Sequence, residues 1–262
     1  VLVLTRQDAP QGCDSVRVFI SDDCALRVTE IRGQAMITPQ PSCGRDKEKA
    51  MSEPIALGDL DLTALVSSRI CHDIINPVSA ISNGLEMLAE EPDDEMRAAA
   101  MDLISKSATQ ASAKLQFARI AFGAAGSAGA EIDTRDAEKV AQAFVQTSEK
   151  HELFWEGPAL ILPKNKVKLF LNLVGLGVVA LPRGGMVRAV ISGDGADLSF
   201  TVTATGKAAR LSDQVVALLA GDATGEVDAH SIQPYYAARV AQASGMTVTT
   251  TSGEDEVVLQ AK

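Results

Sequence analysis

The chain has 262 residues, 46% of them hydrophobic and only 4% aromatic, with a net charge of -10. That length gives room for two domains, packed mainly with Ala, Val and Leu. The acidic balance excludes a nucleic-acid surface, no apolar run reaches membrane-spanning length and no signal-peptide pattern opens the chain, so a cytoplasmic protein without nucleic-acid or membrane partners is expected.

Residues 1–50 carry seven basic and seven acidic side chains on irregular apolar spacing, and end in the loop-like run Pro39-Gln-Pro-Ser-Cys-Gly-Arg-Asp-Lys. Met51-Ser52-Glu53-Pro54 resembles a natural start. The expectation is a non-native or disordered upstream extension outside the functional fold. Cys13, Cys24, Cys43 and Cys71 show no CxxC pairing, which speaks against a zinc site or a disulfide framework.

The span 56–125 reads as a helical hairpin. At ~100° per residue, Ile70, Ile74, Ile81, Leu85 and Leu88 lie within ~40° of the pole opposite His72. Ser68, Arg69, Asn76, Ser79, Asn83 and Glu86 lie within ~60° of the histidine itself. The imidazole therefore centres a polar stripe and should face water. Pro77 cannot donate to the carbonyl of Asp73, so a kink is expected one turn past His72. From Asp94 onward, Met96, Ala100, Leu103, Ser107, Ala111, Leu115, Ala118 and Phe122 form the seam of a second helix. Asp93, Asp94 and Glu95 sit at its positive end, and Gly123 with Gly126 closes it. Each helix runs for roughly 30 residues with alanine-rich spacing, too long and thin for one hairpin to bury both stripes. Two copies would complete a four-helix bundle, so a homodimer is expected with each His72 outside near the kink.

The small-residue joint 123–130 leads into 131–262, where helix and strand alternate. Helix is expected over 134–150, short strands over 153–156 and 159–162, and a buried helix over 165–180. A strand hairpin follows over 185–192 and 198–205 across Gly193-Asp194-Gly195, then helices over 212–220 and 235–244 and closing strands over 246–251 and 256–260. The fold class is thus α plus α/β: a helical hairpin followed by an α/β sandwich.

His72-Asp73-Ile74-Ile75-Asn76-Pro77 resembles the H-box of histidine-kinase dimerisation domains, and the later elements resemble the Bergerat-type ATPase domain of those kinases. More narrowly, the run 69–81 together with Leu115-Gln116-Phe117-Ala118-Arg119-Ile120-Ala121-Phe122 resembles the ChpT-type histidine phosphotransferases of alphaproteobacterial cell-cycle phosphorelays. The resemblance covers about Leu60 to the C-terminus.

Three nucleotide-site positions depart from the kinase pattern. The run 169–177 resembles the N-box, but its metal-binding Asn is Leu176, with no oxygen for a hard cation. The run 202–208 resembles the first glycine box, but the adenine-reading Asp is Ala204. The second glycine box falls at Ser231-Ile232-Gln233-Pro234, where side chains replace glycines. A degenerate ATPase-like domain without a nucleotide is expected, and no metal site in this chain.

The resemblance implies reversible phosphoryl transfer between His72 and aspartates of partner receiver domains, by attack of the distal ring nitrogen. An imidazole with the ordinary pKa of ~6.5 is mostly neutral at pH 7, so no base is needed. Asp73 is placed to orient the ring and Asn76 to reach the phosphoryl group or the receiver, completing a catalytic set of three. Arg69, Ser68, Ile75, Ser79 and Asn83 are the expected partner-binding surface. The donor implied is the receiver domain of a hybrid histidine kinase, the acceptors are CtrA-like and CpdR-like response regulators, and Mg2+ belongs to the receiver. Two other classes remain open: an ATP-dependent sensor-type histidine kinase, and a non-enzymatic dimeric scaffold that binds response regulators. His151 and His230 read as structural or solvated, and Phe117, Ile120 and Phe122 as bundle core.

Overall fold

The structure, a computed structural model, describes residues 3–5, 15–21, 24–31, 34–39, 57–90, 92–123, 130–222 and 226–262. The chain divides into two compact units, residues 1–52 and 53–262. In the first, β1 (Val3–Thr5), β2 (Ser15–Ser21), β3 (Cys24–Ile31) and β4 (Gln34–Pro39) pair in chain order as an antiparallel sheet, with a register break between Phe19 and Ser21. The span expected to be a non-native or disordered extension holds these four paired strands among its described residues. Neighbouring strands pair through main-chain hydrogen bonds, which irregular apolar spacing does not report. The loop reading beyond Pro39 and the start at Met51 lie outside the described residues.

The second unit opens with the hairpin, α1 (Asp59–Ala89) and α2 (Asp94–Ala121). Asp93 caps α2, its carboxylate accepting from the Met96 N–H at 2.8 Å, which satisfies one of the free donors of the first turn. The seam departs from expectation. Ala100, Ser107 and Ala118 are buried, whereas Met96, Leu103 and Leu115 are exposed. Small residues let the two helices lie close, and Gly84 of α1 meets Ile104 and the carbonyl of Ala100 across the gap. The larger side chains are pushed to the flanks, and Leu85, expected on the buried stripe, is 55% exposed. Residues 124–129 of the small-residue joint lie outside the described residues.

Beyond the joint come β5 (Glu131–Asp133), α3 (Thr134–Val145), β6 (His151–Glu156), β7 (Ile161–Pro163), α4 (Lys164–Val179), β8 (Gly185–Ser192), β9 (Ser199–Thr205), α5 (Asp213–Ala220), α6 (Ile232–Ala243), β10 (Val248–Gly253) and β11 (Glu256–Ala261). Five strands form one sheet in the order β10-β11-β9-β8-β6, parallel between β6 and β8 and otherwise antiparallel. The parallel pair needs a crossover, and α4 lies in the chain between its two strands. Val187, Ala189 and Ile191 of β8, Phe200, Val202 and Ala204 of β9, and Val257, Leu259 and Ala261 of β11 alternate with more exposed neighbours and are buried. That is the period-two signature of a sheet with one covered face.

Helix α4 forms the centre of this core, with every residue from Val167 to Gly177 buried. A Cβ at Gly177 would sit 3.0 Å from Val202 and 3.2 Å from Val187, so glycine here sets how closely α4 approaches the sheet. Phe170 stacks on Phe200 at 4.6 Å and tilts against Trp155 at 4.8 Å, and each fully buried ring contributes roughly 1.5–3 kcal/mol.

Helix α3 ends five residues sooner than its apolar period predicts. The Thr147 hydroxyl donates to the Phe144 carbonyl at 2.7 Å, and tight turns then carry the chain into β6. The short pair β5 and β7 is antiparallel, with Asp133 opposite Ile161. No apolar period marks β5, and β7 begins two residues later than the strand expected over 159–162. The expected class, a helical hairpin followed by an α/β sandwich, is the one observed.

Candidate functional site

His72 lies near the middle of α1, and its side chain is 58% exposed. Ser68, Ile75, Asn76, Ser79 and Asn83 are exposed on the same helix, Ile75 at 56%. Asp73 and Arg69 behave differently. Arg69 donates to an Asp73 oxygen at 2.9 Å, one helical turn away, and also to the main-chain carbonyl of His230 at 3.3 Å. With 19% of its side chain exposed, Arg69 is engaged within the chain by these two bonds. The nearest Asp73 oxygen lies 3.7 Å from Nδ1 of His72, beyond hydrogen-bonding distance.

Pro77 leaves the Asp73 carbonyl without its helical donor. Lys114 of α2 supplies one, its ammonium donating to that oxygen at 3.2 Å. The expected kink site is therefore also where the two helices are tied together. A cleft of about 230 Å³ opens beside this tie, lined by Arg69, Asp73, Lys114, Phe117, Gly175 and Gln233.

The α/β layer reaches the site through the loop before α6. Leu57, Leu62, Leu65 and Val66, in and just before α1, pack against Leu218, Val227, Ile232 and Tyr235. The loop between Val227 and Ile232 is folded by Asp228. Its carboxylate accepts from the Ser231 hydroxyl at 2.7 Å, the Ser231 N–H at 2.8 Å and the His230 N–H at 3.0 Å. These bonds, the hydroxyl's first, hold the carboxyl below the usual range. The loop presents His230 with its ring 5.1 Å from that of His72, at 80°. His230, expected to be structural or solvated, is thus a neighbour of the His72 ring. The link spans more than 150 residues, and no local period signals it. His151 is structural as expected, its ring nitrogens bonded to the Ser148 hydroxyl and the Leu181 carbonyl.

The end of α2 is built into the α/β layer. Phe117 stacks on Phe144 at 3.9 Å, so Phe117 and Ile120 belong to the domain core rather than to the hairpin seam. Asn172 of α4 donates to the Ala121 carbonyl at 3.0 Å, and the Tyr236 hydroxyl donates to that of Phe122 at 3.2 Å. Lys168 donates to Tyr236 in turn; burial lowers the Lys168 pKa and raises that of Tyr236.

The three positions that depart from the kinase pattern all lie in packed structure. Leu176 and Ala204 are 1% exposed. Ile232 and Gln233 are buried in the first turn of α6, with Gln233 filling the space over Gly175.

A helical hairpin carrying an exposed histidine, fastened to a five-stranded α/β sandwich, defines a two-part histidine-bearing fold. Residues 134–256 match the histidine phosphotransferase C-terminal domain family. The protein phosphotransferase ChpT of Brucella abortus (strain 2308) is 49% identical over 213 residues, 81% of this chain and 100% of that protein. A bacterial phosphotransferase structure solved at 1.7 Å superposes with a TM-score of 0.73 at 47% identity, covering 80% of this chain and 99% of the other. The chain belongs to the ChpT-type histidine phosphotransferase family. Among the described residues, no helix is long and apolar enough to cross a membrane.

Proposed function

We propose that this phosphotransferase relays a phosphoryl group through His72, taking it from the receiver aspartate of a hybrid histidine kinase and passing it to CtrA-like and CpdR-like response regulators. The observation that carries this reading is a half-exposed imidazole on α1, ringed by exposed polar side chains, in a chain of this family. In the uptake half-reaction a ring nitrogen of His72 forms a P–N bond as the P–O bond to the donor's aspartate breaks and that aspartate leaves as a carboxylate. In the delivery half-reaction an acceptor's aspartate forms a P–O bond as the P–N bond breaks and the imidazole leaves. Positioning dominates such a transfer. Arg69 holds Asp73, the Asp73 carboxylate lies beside the imidazole, and Asn76 sits one turn on, on the receiver's side. Ser68, Ile75, Ser79 and Asn83 offer the surrounding contact surface. The magnesium ion is the receiver's.

ATP is not the donor in this reading. Leu176 offers no oxygen to a metal, Ala204 no carboxylate to adenine, and Ile232 and Gln233 occupy the space where backbone would have to approach phosphates. The protein acts as a homodimer. Val78 and Leu85 of α1 and Met101 and Leu115 of α2 are 43–55% exposed, an apolar flank that a second hairpin would cover.

The test mixes a phosphorylated donor receiver with the wild type and with His72→Gln. Acid-labile label should appear on the wild type alone. Label on the wild type from ATP with no partner present would overturn the relay in favour of a kinase.

A further inference from the structure

We infer that His230 is a positioning residue for phosphoryl transfer, its ring bracing that of His72 in the orientation from which it attacks; this rests on the relay reading above. An imidazole exposed as far as His72 turns freely about its side-chain torsions unless something holds it. Hydrogen bonding does not hold it here. Among the described residues its ring makes no hydrogen bond; Asp73 stands 3.7 Å away and is taken up by Arg69. The neighbouring ring is that of His230, in the edge-to-face arrangement aromatic pairs favour.

His230 is itself anchored from three sides. Asp228 gathers the N–H groups of His230 and Ser231 into one turn. Val227 and Ile232, on either side of the turn, are buried against α1. The Arg69 guanidinium grips the carbonyl of His230 while its other nitrogen holds Asp73. Arg69 thus joins the residue after the nucleophile to the residue whose ring packs on the nucleophile, so that both flanks of the imidazole are set by a single side chain. A planar guanidinium has the spaced donors for this, and a lysine ammonium does not.

The experiment measures single-turnover transfer from a phosphorylated receiver against receiver concentration, for wild type, His230→Ala, His230→Phe and His72→Gln. Loss of the ring should lower the maximal rate about fivefold, the worth of an aromatic pair, and leave the half-saturating receiver concentration unchanged. His230→Phe keeps an aromatic edge and should restore the rate to within about twofold of wild type. The His72 ring resonances should shift in His230→Ala, because the neighbouring ring current is gone. An unchanged maximal rate in His230→Ala overturns the inference, as does a changed half-saturation with an unchanged maximal rate, or a His230→Phe rate as low as that of His230→Ala. His72→Gln should accept no label. If it does, the relay reading itself fails, whatever happens at position 230.

Discussion

The ammonium of Lys114 on α2 donates at 3.2 Å to the main-chain carbonyl of Asp73 on α1, the one carbonyl in that turn that Pro77 cannot serve. A helix defect beside the reactive histidine is thus repaired from the other helix. Lys114→Met should destabilise the protein by about 1 kcal/mol, the net worth of a hydrogen bond of this kind. In a Pro77→Ala background the restored N–H serves the carbonyl, and the cost of Lys114→Met should shrink to less than half. Urea denaturation of the four proteins in this cycle measures the difference; equal costs in both backgrounds would refute the repair.

Asp73→Asn should slow phosphotransfer by about tenfold or more while changing stability by less than about 1 kcal/mol, because partly exposed ion pairs contribute little to folding. Arg69→Lys should do the same more mildly, since one ammonium cannot hold both the Asp73 carboxylate and the His230 carbonyl. Rates and melting temperatures measured side by side separate the two effects. A large stability loss without a rate loss would assign this pair to folding.

Gly84→Ala places a Cβ 2.6 Å from Ile104 and 3.3 Å from the carbonyl of Ala100. Alanine favours the helix by up to about 1 kcal/mol, but spreading α1 from α2 should cost about 1–3 kcal/mol. A lower midpoint in thermal unfolding is expected. At Gly175 the obstructing atom is the amide nitrogen at the end of the Gln233 side chain, which can move, so Gly175→Ala should be milder.

Charge on the exposed flank of the hairpin tests the homodimer. Leu85→Glu combined with Met101→Glu should weaken self-association about a hundredfold or more, since unpaired carboxylates would be buried in an apolar contact. Sedimentation equilibrium reads this directly. A wild type that is monomeric at every concentration would remove the dimer from the account.

Asp133 caps α3, and its carboxyl is held down to about 2 by the Arg135 side chain first and the Arg135 N–H second. A carboxyl lowered on folding stabilises fully above its ordinary value of 3.8 and loses that contribution as pH falls through about 2. Asp133→Ala should therefore lower the melting temperature at pH 7 and equally at pH 5, with the gap narrowing only in stronger acid. A gap already closed at pH 5 would contradict the assigned cause.

Elements with strong periods were legible from the sequence. The alternation of Val187, Ala189 and Ile191 and the Gly193-Asp194-Gly195 turn placed β8 and β9 within a residue, and the apolar-rich run from Leu169 to Val179, broken by Asn172, marked a buried helix. Apolar spacing was a poorer guide in α2, where it could not tell the small residues that touch α1 from the large ones left on the flank. At the site, the H-box residues placed His72 on an exposed face. The same pattern gave no sign of the bond Arg69 makes inside the chain, because the His230 carbonyl that accepts it lies 161 positions further along. His230 sits in a turn made by Asp228 and Ser231, and only folding brings that turn to α1.

The last carbonyls of α2, at Ala121 and Phe122, are held by Asn172 and Tyr236 from inside the α/β layer rather than by water. To swing the sheet away from the hairpin, the molecule would have to strand those oxygens and pull Phe117 off Phe144. Hairpin and sandwich should therefore turn as one rigid lever when a receiver docks.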